Sequence, residues 1–176
     1  MLIERTNTLA KAPSLFRSVG LALAAICTCL WLSIGANAQM SASLRAFEGT
    51  WVGTGTLSHQ NGVTERIRCQ VDYVPRGAQT LQQTLRCQSD TTNFNIVSTV
   101  SEESGRLTGD WTETNSNARG TLTGTIGGGD IRATVQGSGF AAGIGITARG
   151  NKQSIEIRAA GTDITGLSMA LTRTAR

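Results

Sequence analysis

From Gly49 to the end of the chain, apolar and polar residues alternate with a period of two. Leu122, Gly124 and Ile126 oppose Thr121, Thr123 and Thr125. Ile131, Ala133 and Val135 oppose Arg132, Thr134 and Gln136, and Leu167, Met169 and Leu171 oppose Ser168, Ala170 and Thr172. A strand turns successive side chains to opposite faces, so this pattern predicts strands with one apolar and one wet face. Ten segments read this way, near 50–58, 63–74, 80–89, 93–102, 105–114, 118–126, 130–137, 140–149, 152–160 and 163–173. A short helical turn over Ser43–Phe47 is expected just before the first of them.

Clusters such as Gln60-Asn61-Gly62, Glu103-Ser104-Gly105, Gly127-Gly128-Gly129 and Gly150-Asn151 separate the segments. Such residues accept positive φ or bond their own backbone, as tight turns require. Hairpin links throughout predict an antiparallel up-and-down meander, and closing it into a barrel of about 8–10 strands hides both edges. A two-sheet sandwich is the rival, but it needs longer crossing connections than this chain provides.

Residues 1–38 read as a cleavable signal peptide, and residues 39–176 as a single β-barrel domain. Arg5, Lys11 and Arg17 give a positive start, Val19–Ile34 is uncharged and apolar, and Ala36-Asn37-Ala38 is a small-x-small cleavage site. Export predicts a periplasmic or secreted protein. The leader holds three of the chain's 16 basic residues and one of its 12 acidic ones, leaving 13 and 11. That mild excess is scattered singly, which speaks against nucleic-acid binding. The second strand face carries Thr, Arg and Gln rather than the apolar band of a lipid-facing barrel. The domain is therefore expected not to span a membrane once the leader is gone.

Cys69 and Cys87 lie beyond the leader. A hairpin centred on Ala78 puts Val71 opposite Leu85 and Cys69 opposite Cys87, at a separation a disulfide can span. An oxidising compartment favours that bond over a redox or metal pair, since the spacing is not Cys-x-x-Cys.

Nothing in the chain spells out catalysis. His59 is the one histidine, Gly-x-Ser-x-Gly and phosphate-cradling motifs do not occur, and carboxylates are dispersed. The expectation is a protein that is not an enzyme and uses no cofactor and no metal. The inner face is more informative. Gly53, Gly55, Gly109 and Gly124 share its parity and are expected to leave space. Tyr73, Phe94, Trp111 and Phe140 share it too, with Gln83 and Glu113 as polar company. Apolar walls with a few polar groups suit a small-molecule site, so these six are the candidate ligand-binding residues. The alternative is that glycines only relieve crowding and aromatics fill the core. Glu113 is expected either to meet a ligand or cation or to sit near the barrel mouth in water.

Gly49-Thr50-Trp51 resembles the Gly-x-Trp that opens the first strand in the calycin superfamily, which includes lipocalins, fatty-acid-binding proteins and avidins. In those proteins a basic residue of the last strand packs across the Trp, and Arg173 stands at that place here. The resemblance implies a closed barrel whose base is pinned by Trp51 and Arg173 through cation–π contact. Two kinds of partner are expected, the first from the inward glycines and aromatic residues and the second from the resemblance. One is a small apolar or amphipathic molecule in the lumen. The other is an envelope protein, as for periplasmic protease inhibitors, with Gln39–Phe47 inserting into the target.

Overall fold

The computed structural model describes residues 40–175. The leader expected over 1–38 lies outside the described residues. A four-residue helix, α1 (Ala42–Arg45), precedes ten strands: β1 (Gly49–His59), β2 (Thr64–Pro75), β3 (Thr80–Gln88), β4 (Asn93–Glu103), β5 (Arg106–Glu113), β6 (Ala118–Gly127), β7 (Asp130–Gly137), β8 (Phe140–Arg149), β9 (Lys152–Ala160) and β10 (Ile164–Arg173). Each strand pairs antiparallel with its sequence neighbours, and β1 pairs with β10, so the sheet closes into a barrel. No strand end departs from its expected position by more than one residue, and the sandwich is excluded.

The even strand period fixes which side chains face inward. Thr108, Thr121, Thr123, Thr125, Arg132 and Thr134 are exposed on the outer face. Among the described residues no helix is long and apolar enough to cross a membrane.

One end of the barrel is shut. Leu44, Phe47 and Trp51 are wholly buried there. The Trp51 indole donates to Phe47 O at 2.7 Å. Arg173, its register partner, lies 4.3 Å over the indole ring and sends its two terminal nitrogens to Glu48 O and Ala46 O, each at 2.6 Å. One guanidinium thus covers a ring face and holds two carbonyls just beyond the helix. The lead-in expected as an insertion arm is used inside the molecule instead, since its apolar residues Leu44 and Phe47 have no exposed surface to offer a target.

Cys69 and Cys87 are Cα partners 4.2 Å apart and form the disulfide, with Val71 opposite Leu85 as the hairpin register requires.

Candidate functional site

The barrel interior divides into a filled and a hollow half. Around β1, β2 and β10, Trp51, Ile67, Val71, Met169 and Leu171 pack with at most 3% exposure. Towards β3–β9 a cavity of about 620 Å³ opens, within the roughly 300–1,000 Å³ usual for small-ligand sites. Val100, Leu122, Ile131, Val135 and Ile146 form its walls, each 6–9% exposed. The cavity reaches the rim opposite α1, where Asn93, Asn115 and Thr162 line it.

The glycines are not the source of that space. A Cβ on Gly53 would stand 2.0 Å from Ala170 O. On Gly55, Gly109 or Gly124 it would meet Ser168, Thr99 or Arg132 carbonyl oxygens at 2.2–2.3 Å. Bare backbone lets adjacent strands coil tightly, the role glycine takes where a barrel wall bends. On β6–β8 the lining is mostly Ala, Val and Ile, with Leu122 and, at the start of β8, Phe140 as the larger groups.

All six candidate residues line the cavity: Tyr73, Gln83, Phe94, Trp111, Glu113 and Phe140. Four of them belong to one lateral row of register partners running Tyr73–Gln83–Ser98–Trp111–Gly120–Gly137–Phe140. Because Gly120 and Gly137 lack side chains, Trp111 and Phe140 reach across two strands and meet edge to face at 5.3 Å. A Cβ on Gly137 would collide with both rings, 2.5 Å from the Phe140 ring and 2.9 Å from the Trp111 ring. The glycines here position an aromatic wall.

The polar groups facing the cavity are mostly committed elsewhere. The Tyr73 hydroxyl donates to Gln153 Oε1 at 3.5 Å, and the Trp111 indole donates to Gln136 O at 3.2 Å. At the rim Thr92 donates to Glu65, Asn115 Nδ2 donates to Asn93 Oδ1, and Thr162 donates to Ile164 O. Glu113 accepts from the backbone N–H groups of Asn95, Asn115 and Ser116 and from the Ser116 hydroxyl. Burial pulls its pKa up, but the Ser116 hydroxyl and those backbone amides outweigh it and leave the carboxyl below its ordinary value. Glu113 thus sits at the mouth, as one of its two expected places, and holds the β5–β6 turn. Two side chains remain. Gln83 and the 5%-exposed Ser98, register partners at mid-barrel, have no side-chain hydrogen bond among the described residues. Ser98 is not singled out by the sequence pattern, although it shares the inward parity of Phe94 and Ile96.

The mouth has a second feature that the sequence pattern did not single out. His59 Nδ1 lies 2.9 Å from Asp163 and Nε2 2.9 Å from Glu65. Glu65 also accepts from Ser89, Thr91 and Thr92. The cluster ties together the β1–β2, β3–β4 and β9–β10 loops. Both ring nitrogens can donate only in the imidazolium form, so the geometry selects the cation. The parity that turns Leu57 and Ile67 inward turns His59 and Glu65 inward too, which is the signal that could have found them.

The hydrogen bonds to Asp163 and then Glu65 raise the His59 pKa above 6.5. Those from Ser89 and Thr91, then His59 and Thr92, lower Glu65 from 4.5 to about 2. The His59 contribution to stability is therefore full below pH 6.5 and is lost as pH rises through its raised folded value. That of Glu65 is full above 4.5 and is lost as pH falls towards about 2. The clamp is tightest between pH 4.5 and 6.5. With one histidine in the chain, a proton NMR titration reads it directly. The expected midpoint lies above 6.5, with amide protection of the Ser89–Thr92 turn weaker at about pH 9 than at about pH 5.5. A midpoint at or below the ordinary value would mean that the carboxylates do not hold the ring.

No protein-family model matches the chain, and no curated protein matches its sequence. Its shape does match solved structures. Rv2717c from M. tuberculosis aligns with a TM-score of 0.59 and 15% identity, over 78% of this chain and 100% of that one. The S-type phycobiliprotein lyase CPES from Guillardia theta aligns with a TM-score of 0.56 and 10% identity, over 76% and 91%. At such identities the likeness is one of fold, an antiparallel closed β-barrel.

Proposed function

We propose that this barrel binds a small apolar or amphipathic molecule in its lumen and carries or stores it outside the cytoplasm. The observation that carries the reading is the apolar cavity of about 620 Å³, open at one end and plugged at the other. Three observations support the remainder. The Cys69–Cys87 bond suits an oxidising compartment, and the leader pattern suits export. Among the described residues the cavity meets apolar walls and a few hydrogen-bonding groups, the usual make-up of a small-molecule site.

Titration with Nile red, a neutral dye whose emission shifts in apolar surroundings, tests the reading. Saturable one-to-one binding with a blue-shifted emission is expected. Ala142→Phe, which places a ring in the cavity, should reduce the affinity at least about tenfold, since inserted bulk displaces the ligand or strains the wall. An unchanged spectrum at all concentrations would leave the cavity without a role in binding.

A further inference from the structure

We infer that the ligand carries a neutral hydrogen-bonding group, such as a hydroxyl, carbonyl or carboxamide, which docks between Gln83 and Ser98 while its apolar body lies against the Trp111–Phe140 wall. This rests on the lumen reading and narrows it to a chemical class.

Three observations carry it. First, Gln83 and Ser98 are neighbours across β3 and β4, directly beside one another on the inner face. Leu81 and Leu85 flank Gln83 along its strand, and Ile96 and Val100 flank Ser98. A primary amide and a hydroxyl in such surroundings cost free energy unless something bonds them. Every other polar side chain that the lumen meets already has its partner within the protein. These two are left to face the hollow together, with two amide N–H donors, an amide oxygen and a hydroxyl between them. That set serves a group that accepts, donates or does both.

Second, the lining rules out charge. Among the described residues no Lys, Arg or His lines the cavity. An ionised carboxylate or phosphate brought to mid-barrel would find no counter-charge and would lose its hydration. Glu113 at the mouth opposes an anion further. A cationic group gains no more, because the carboxylate of Glu113 is already taken by its own turn.

Third, the aromatic wall lies in the same row as the polar pair. Ser98 is the register partner of Trp111, so a ligand anchored at Ser98 meets the indole and then Phe140 on the next open stretch of wall. Anchor and apolar surface are adjacent, which a single amphipathic molecule can engage at once.

The test is displacement of bound Nile red at pH 7.5 by four molecules sharing one chain, each below its aggregation limit: dodecanol, dodecanamide, dodecanoate and dodecylammonium. The alcohol and amide should compete at concentrations about tenfold or more below the two ions. Gln83→Leu with Ser98→Ala should weaken dodecanamide about five- to tenfold, the scale of one or two neutral hydrogen bonds. It should leave dodecanoate where it was. Thermal melts of the variant confirm that it is folded, and Leu at 83 suits a site between Leu81 and Leu85. If dodecanoate competes as well as the amide, the neutral-group assignment is wrong while the lumen reading stands. If the amide is preferred but the variant keeps that preference, the anchor lies elsewhere and the assignment to Gln83 and Ser98 is wrong. If Nile red itself never binds, it is the lumen reading that fails.

Discussion

Trp51→Ala will cost the barrel about 3–5 kcal/mol and lower its melting temperature by roughly 10–20 °C, the largest loss expected from any single substitution in this fold. The indole is the bulkiest fully buried side chain among the described residues. Its loss leaves a void against Phe47 and Leu44 and strips the Arg173 guanidinium of the ring it covers. Phe47 O also loses its donor. Each consequence is unfavourable: a cavity, an uncovered charge and a carbonyl without its partner. Trp51→Phe keeps a ring and should recover about half the loss. Arg173→Lys keeps the charge but cannot span both carbonyls, so it separates the cation–π contact from the fork that holds Glu48 and Ala46. Urea melts of the four proteins give the comparison. A Trp51→Ala protein within about 1 kcal/mol of the parent would mean that the plug does not stabilise the fold.

Reducing the Cys69–Cys87 bond will lower stability by about 3 kcal/mol. The bond closes a short loop, with 18 residues of sequence separation, and its main action is on the unfolded chain. It also lies in the filled half of the interior, where the Cys87 sulfur faces the Met169 sulfur at 3.9 Å. Ladder hydrogen bonds, the Arg86–Asp72 ion pair and the Arg76 bond to Gln82 also hold this hairpin, so freeing the bond removes its one covalent tie between β2 and β3. Denaturation with and without a reductant reads the difference, and alkylation of the untreated protein should find no free thiol among residues 40–175. Coincident curves in the two conditions would show that the sheet alone sets the register.

The period-two alternation made the strands legible almost to the residue, because each inward apolar position repeats on a strand bounded by turn residues. The disulfide followed from the same parity. Tyr73, Gln83, Trp111 and Phe140 were legible as inward-facing, and the lateral row that joins them follows from hairpin register alone. Three things were not legible. Inward glycines suggested space, whereas Gly53 and Gly124 press against neighbouring carbonyls; strand coiling, which decides this, leaves no mark on a one-dimensional pattern. The hollow depends on residues far apart in sequence facing one another across the lumen. The mouth clamp joins His59, Glu65 and Asp163 from two separate hairpins, and only the β1–β10 closure brings Asp163 to His59.

That closure has a consequence for how the molecule is made. Trp51 finds its register partner at Arg173, nearly the whole domain away along the chain. As synthesis runs from the amino end, every intermediate is an open, curling ribbon with β1 unpaired on one side. Contacts so distant in sequence are slow to form. The base cannot shut, nor the plug seat, until the last strand arrives. A copy clipped a few residues early would therefore carry a bare strand edge and an unseated indole, and its natural fate is to pair with another incomplete copy.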